Sequence, residues 1–169
     1  MNNHSQLKSL LSYKAWADSI LYDALSDLPQ GQLTVERPML FGSILKLLNH
    51  VYAMDCAWRH NLQRTPHGLN TRNPVSVPQF GDLKNDQADI NQWYIEHVER
   101  LSSEMLSEIV SFTFIGGERG RIKQSDVLHH IVNHSTYHRG HIEGVLYQLS
   151  ITPPTTDIPV FIREKNAEY

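Results

Sequence analysis

Apolar residues recur at steps of three and four residues along four long segments of this 169-residue chain. That spacing places them on one face of an α-helix. The segments are residues 5–28, 43–63, 83–109 and 125–150. Because each helix must bury its apolar face, and a chain of this length favours one domain, we predict a single all-α domain over residues 1–169 that folds as a four-helix bundle.

Two connections between these helices carry signals of their own. Residues 64–81 are rich in Pro, Asn, Thr and Gly, which predicts a long crossover or lid between the second and third helices. Between the third and fourth helices, residues 111–114 alternate polar and aromatic side chains, and Gly116 and Gly117 precede residues 119–123. This order predicts a small hairpin.

Capping and helix-breaking residues mark the helix ends. Ser43 and Ser125 lie at the starts of the second and fourth helices, and we expect both to be N-caps, since a serine oxygen accepts a hydrogen bond from a free backbone N–H group. Pro153 and Pro154 forbid continuation of the fourth helix. The tail from Ile151 onward is therefore expected to be irregular.

Composition excludes several classes of function. The net charge is −3, and no basic stripe of the kind that binds nucleic acid is present. The single cysteine, Cys56, excludes an internal disulfide and any zinc site that needs two cysteine ligands from this chain. The N-terminus lacks the pattern of a signal peptide, and no apolar run approaches the ~20 residues that span a bilayer. We therefore expect a cytoplasmic protein with no membrane partner.

Histidine is the unusual residue, with ten in the chain. Projected at about 100° per residue, the fourth helix places His138 inside its apolar stripe and His134 at the edge of that stripe. His130 and His141 lie further out, and His129 lies on the far side. Because Cβ atoms four residues apart on a helix are about 6 Å apart, His134 and His138 can converge on one ion.

A third ligand must come from another helix, because a further histidine of the same helix lies too far along its axis. In the second helix His50 lies beside the apolar stripe, whereas His60 and Cys56 point away from it. His50 is therefore the candidate. Asp55 projects inward on the same helix and is a candidate to hydrogen-bond the ligands. Spacing alone leaves two interpretations open: a three-histidine metal site, or core histidines that are hydrogen-bonded within the protein.

At these residues the sequence resembles the DinB-like family of small four-helix-bundle metalloproteins. The resemblance covers most of the chain. It rests on Tyr13-Lys14-Ala15-Trp16-Ala17-Asp18, on Leu48-Asn49-His50-Val51, on Asn133-His134-Ser135-Thr136-Tyr137-His138-Arg139-Gly140, and on Pro153-Pro154 with Asp157.

The resemblance implies a divalent metal ion bound by His50, His134 and His138. It also implies an up-down-down-up order of the four helices, which suits the long connection at residues 64–81, and it implies a homodimer. Many relatives carry glutamine where this chain has His141, so the resemblance leaves His141 as either an extra ligand or a neighbour of the ligands.

Three neutral imidazoles would leave a divalent ion with open coordination positions, as in catalytic rather than structural zinc sites. Zinc, nickel, copper and iron all suit such ligands, so the metal is not named by the sequence. Studied relatives suggest low-molecular-weight thiols as substrates. We therefore expect a metal-dependent enzyme that acts on a small molecule, either a low-molecular-weight-thiol S-transferase or a hydrolase. The alternative is a non-catalytic metal-binding, stress-response or sensing protein.

Three further polar residues lie near this motif. Arg139 is interpreted as a contact for a substrate anion or, more simply, as a salt bridge at the surface or at an interface. Tyr137 is interpreted as a packing residue. Glu143 projects away from the histidines, so no carboxylate is clearly aimed at them and no general base is assigned.

Overall fold

The fold is that of a computed structural model, which describes residues 3–29 and 31–167; residue 30 and both ends of the predicted 1–169 domain lie outside the described residues. The helices and strands are α1 (Asn3–Ser26), α2 (Ile44–Leu62), α3 (Phe80–Glu99), α4 (Ser103–Leu106), β1 (Ile109–Thr113), β2 (Arg119–Lys123), α5 (Gln124–Gln148) and α6 (Ile158–Ala167). The four long helices pack as a bundle, and the prediction of a mostly helical four-helix bundle is confirmed.

The bundle is held by two apolar clusters at its two ends. Helices α1 and α2 each pack against both α3 and α5. One cluster contains Leu7, Leu62, Val98 and Val127. The other contains Leu25, Ile44, Leu83 and Leu146. Since α2 ends in the first cluster and α3 begins in the second, the connection at residues 63–79 runs along the length of the bundle. Among the described residues, no helix has both the length and the hydropathy needed to cross a membrane.

The predicted hairpin is confirmed and lies against one side of the bundle. Strands β1 and β2 pair antiparallel, with Phe112 opposite Gly120. A side chain at Gly120 would collide with the Phe112 ring. Glycine at this position therefore allows the ring to lie against the backbone of β2. The same ring packs on Trp58 of α2, with ring centroids 4.9 Å apart. The hairpin is thereby fixed beside the C-terminal part of α2.

The third helix is shorter than predicted. It ends at Glu99 instead of residue 109, and Arg100 is its C-cap. The chain then begins the short helix α4, where the side chain of Ser102 accepts a hydrogen bond from the backbone N–H of Met105. The apolar spacing continues through this interruption, and for that reason periodicity did not reveal it.

Of the two predicted N-caps, one is confirmed and the other is wrong. Ser43 caps α2 by accepting from the N–H of Lys46. Ser125 is not a cap, because α5 already begins at Gln124 and its N-cap residue, Lys123, makes no side-chain hydrogen bond there. The backbone N–H of Gln124 donates instead to the carbonyl of Glu108, so the residue that precedes β1 supplies the partner.

The tail is not irregular throughout, because it contains α6. Phe161 of this helix is buried against α1, with its ring centroid 5.9 Å from that of Tyr13 and 5.5 Å from that of Trp16. A long-range aromatic contact therefore stabilises a helix whose own apolar pattern is short.

Candidate metal centre

Three histidines from two helices converge between α2 and α5. The Nε2 atom of His134 lies 3.2 Å from Nε2 of His50 and 3.1 Å from Nε2 of His138. The ligand atoms of all three residues lie within 4.8 Å of one another. His134 and His138 are one turn apart on α5, and His50 faces them from α2. The structure thus brings together the three side chains that the helical projection selected.

The spacing of these atoms fits a metal ion. Imidazole nitrogens bound to zinc at 2.0–2.1 Å in a tetrahedral arrangement lie about 3.3 Å from one another. The two short Nε2–Nε2 separations are close to that value. The residues present therefore suit a divalent ion.

Hydrogen bonding fixes which nitrogen of His50 is free. Its Nδ1 atom lies 2.6 Å from the carbonyl oxygen of Arg72. A carbonyl can only accept, so Nδ1 carries the proton and Nε2 presents a lone pair to the cluster. A backbone carbonyl on the outer nitrogen is a common way to orient a metal-binding histidine. The Nδ1 atoms of His134 and His138 are buried and have no hydrogen-bond partner among the described residues.

Burial keeps the cluster uncharged. Loss of water contact, followed by repulsion from its neighbours His138 and His50, lowers the pKa of His134 to about 3. Loss of water contact lowers the pKa of His138 to about 4, with further contributions from His50 and His141. Burial also lowers the pKa of His50, although its bond to Arg72 opposes the change. All three imidazoles are therefore neutral near pH 7, which is the form that binds metal.

A pocket of about 370 Å³ opens over the cluster. The three histidines form one part of its lining, and Trp58, Phe112 and Phe41 are among the apolar residues that form its walls. None of the described residues that line it is acidic. A small molecule in this pocket would lie next to the three Nε2 atoms with mostly apolar contacts around it.

Asp55 does not contact the histidines, and its prediction as their hydrogen-bond partner is wrong. It is fully buried, and its carboxylate accepts from Lys14 and from Gln87, both at 2.9 Å. Lys14 also donates to Asp18 and Asn91. We call these five residues the Lys14 network. Asp55 lies five residues beyond His50 on α2, about 7.5 Å along the helix axis and about 140° around it, so it faces Lys14 of α1 and Gln87 of α3 and not the α5 histidines.

Arg139 does not line the pocket, so its interpretation as a substrate contact is not supported, and the ion pairs that it forms with Asp18 and Glu143 lie inside the protein and not at its surface. Its side chain is buried, donating to the hydroxyl of Tyr13 at 2.7 Å and to Thr156 at 3.1 Å. The tail residue Thr156 covers it, and that cover cannot be read from the helix alone. Thr156 in turn donates to Glu143, which lies away from the histidines as predicted.

The other α5 residues near the cluster occupy different positions. His130 lines the pocket, and its ring centroid is 5.5 Å from that of His134. His141 lies beside His138 at 5.9 Å but does not belong to the convergent group. Tyr137 packs on both His138 and His141, and 59% of it remains exposed.

Several residues that line the pocket were not predicted from the sequence to do so. His67 and Arg72 come from the crossover, Phe41 from the loop before α2, and Phe112 from the hairpin. Only one of them had a usable signal: the aromatic alternation around Phe112. The others reach the pocket through loop conformations that a helical projection does not describe.

Comparisons with known proteins agree with this fold. The DinB family model matches residues 1–168. Protein DinB of Bacillus subtilis (strain 168) is 23% identical over 159 residues, covering 90% of this chain and 91% of that protein. A solved structure of a DinB-like protein from Bacillus cereus ATCC 10987 has a TM-score of 0.65 and 18% identity, covering 85% of this chain and 91% of its own.

A second solved structure is that of YfiT from Bacillus subtilis, which is described as a probable metal-dependent hydrolase with an unusual four-helix bundle topology. Its TM-score is 0.64 at 13% identity, and the match covers 88% of this chain and 90% of that one. At such identities the two solved structures show a shared fold.

Proposed function

The chain belongs to the DinB family, and from that premise we propose that it is a metal-dependent enzyme whose ligands are His50, His134 and His138. The observation that carries the proposal is the convergence of three neutral Nε2 atoms at the wall of a 370 Å³ pocket. A site that only stabilised the fold would have no need of a pocket beside it.

The chemistry divides between the ion and the protein. A divalent ion held by three imidazoles supplies a Lewis acid with open coordination positions. The carbonyl of Arg72 orients His50, and the apolar walls at Trp58 and Phe112 exclude water from around a bound molecule. Uncharged ligands leave the positive charge of the ion undiminished, which favours an anionic or electron-rich group next to it.

We propose a small-molecule substrate and one of two reactions, hydrolysis or transfer of a low-molecular-weight thiol. The description of YfiT as a probable metal-dependent hydrolase supports the first. In the second the thiol must come from the substrate, because Cys56, the only cysteine of the chain, does not line the pocket. Burial also raises the pKa of the Cys56 thiol, which makes it a poor nucleophile.

The experiment is a two-part screen on protein purified without a histidine tag and loaded with zinc, nickel or iron. One part offers activated esters and amides, and the other offers a low-molecular-weight thiol with a model electrophile. We expect turnover that requires metal and is lost in His138→Ala. His60→Ala is the matched control, because His60 lies on α2 outside the pocket and contacts Thr65.

Each outcome has a clear meaning. Activity that is unchanged in His138→Ala would reject catalysis at this centre. Stoichiometric metal without turnover in either part would favour the non-catalytic metal-binding or sensing protein. Which metal is bound in the cell, homodimer formation and cytoplasmic location stay predictions, of which light scattering tests the dimer.

A further inference from the structure

Phe41 has a backbone conformation that its residue type disfavours. Its φ angle is 62°, in the left-handed region where a Cβ atom crowds the backbone. Glycine adopts this conformation at little cost, and phenylalanine does not. The next residue, Gly42, has φ 82° and is of the expected type. A strained residue next to an unstrained one points to a function for the phenylalanine side chain.

The loop around Phe41 is tied down on both sides. The N–H of Arg37 donates to the carbonyl of Gly42 at 2.7 Å, and the N–H of Gly42 donates to the carbonyl of Met39 at 3.0 Å. Immediately afterwards Ser43 caps α2. These bonds hold the chain in the turn and fix the direction in which the Phe41 side chain leaves it.

With this orientation the ring of Phe41 packs against the imidazole of His50. The two ring centroids are 4.3 Å apart, with 35° between the ring planes. His50 also donates through Nδ1 to the carbonyl of Arg72. The imidazole is therefore held by an aromatic contact and by a hydrogen bond, two constraints on its position. Phe41 also lines the pocket beside the three histidines.

We propose that Phe41 is a positioning residue for His50 and sets the wall of the pocket next to it, and that the left-handed backbone is kept for this contact. The inference rests on the proposed metal centre. Contacts that orient a metal-binding histidine typically change metal affinity by 10–100-fold when they are removed. A smaller side chain on the same backbone conformation would remove the ring contact and leave the hydrogen bond to Arg72 as the remaining one of these two constraints on the His50 ring.

The test measures Co²⁺ affinity and the visible absorption spectrum of the Co²⁺-loaded protein, neither of which depends on turnover. Phe41→Leu keeps the disfavoured backbone and removes the ring. Phe41→Tyr keeps both. We expect Phe41→Leu to bind Co²⁺ about tenfold more weakly with a shifted spectrum. We expect Phe41→Tyr to restore the affinity and spectrum of the wild type.

Ser150→Gly is the matched control for strain. Ser150 also has a left-handed backbone, at φ 59°, and lies exposed after the end of α5, outside the pocket. Its replacement relieves the same kind of strain, so we expect a more stable protein with unchanged Co²⁺ affinity. Thermal unfolding of each metal-free variant verifies that it is folded.

Two results would overturn the inference: Phe41→Leu with the affinity and spectrum of the wild type, or Phe41→Tyr as weak as Phe41→Leu. Either can occur with a wild-type protein that binds Co²⁺ well. If instead the wild type and Ser150→Gly both fail to bind Co²⁺, the proposed metal centre itself is wrong. The failure of the inference and the failure of the proposed function are thus distinguished.

Discussion

The Lys14 network and the three-histidine cluster both place polar side chains inside the helical bundle, yet only the first contains its own counter-charges. The ammonium of Lys14 lies 2.9 Å from carboxylate oxygens of both Asp18 and Asp55. Burial alone would lower the pKa of Lys14, but the two carboxylates outweigh that effect and raise it. Lys14 therefore stays charged, and its three donors are used within the protein.

The histidine cluster has no such internal partner. Three neutral imidazoles face one point, and burial lowers their pKa values instead of a counter-charge raising them. The Lys14 network balances its charges within the protein and so specifies how the helices pack, whereas the three histidines direct lone pairs at one point without a counter-charge of their own among the described residues. The missing counter-charge, more than burial itself, distinguishes a candidate binding centre from a structural network.

The largest effect is expected from Lys14→Met. This change leaves two buried carboxylates, and the cation that remains paired with them among the described residues is Arg139, 3.9 Å from Asp18. Removing one partner of a buried ion pair costs about 3–5 kcal/mol of unfolding free energy, measured by urea denaturation. Lys84→Met, which breaks an exposed pair with Asp23, should leave the free energy nearly unchanged. Equal losses in the two variants would show that the network is not a stabilising unit.

Zinc should stabilise the protein by binding to the three-histidine cluster. At a free concentration 100 times Kd, binding to the folded state alone adds about 2.7 kcal/mol to the unfolding free energy. His138→Asn should abolish this increment, because it removes one of three ligands. Ser135→Ala, which removes a hydrogen bond to Asp18 of the Lys14 network, should retain it. An increment that survives in His138→Asn would place the bound ion elsewhere.

Ser135→Ala should have a smaller effect, confined to the network. The hydroxyl of Ser135 donates to Asp18 at 2.7 Å, and a hydrogen bond to a charged acceptor contributes about 1.5 kcal/mol or more. Ser26→Ala is the control, since Ser26 donates to the neutral carbonyl of Tyr22. Ser26→Ala should lower the unfolding free energy by less than about 1.5 kcal/mol in the same urea experiment. Although Ser135 follows His134 directly, zinc affinity should not change, and a tenfold loss would contradict the separation of the two regions.

The smallest effect is expected from pH. Protons compete with metal for imidazole, and a lowered pKa moves that competition to lower pH. With pKa values of about 3 for His134 and 4 for His138, both are already deprotonated at pH 6. Zinc affinity measured by calorimetry should therefore change little from pH 7.5 to pH 6. Histidines with the ordinary pKa of 6.5 would lose affinity steeply over that interval, and such a loss would contradict burial as the cause.

Much of this arrangement was predictable because helical periodicity reports which face of a helix is buried. It placed His50, His134 and His138 on inward faces, and the structure brings them together. The projection shows which side chains point inward but not which neighbouring helix each one meets. Asp55 points inward about 140° around α2 from His50, so it meets Lys14 of α1 and Gln87 of α3 instead of the α5 histidines.

The remaining errors come from contacts between distant parts of the chain. Arg139 is buried because Thr156 of the tail covers it, and α6 is stable because Phe161 packs on α1. The third helix ends early because the side chain of Ser102 competes for a backbone N–H, although the apolar spacing continues. Phe41 gave no signal, since a left-handed backbone at phenylalanine is a property of the folded loop.

Diffraction at several absorption edges, from crystals of tag-free protein soaked in one equivalent of zinc, would decide whether His50, His134 and His138 hold a metal ion in the folded protein. We expect one strong anomalous peak about 2.0–2.1 Å from each of the three Nε2 atoms, with a coordination position facing the pocket. A peak at other residues, or none at this cluster while zinc is bound, would contradict metal binding by these three residues.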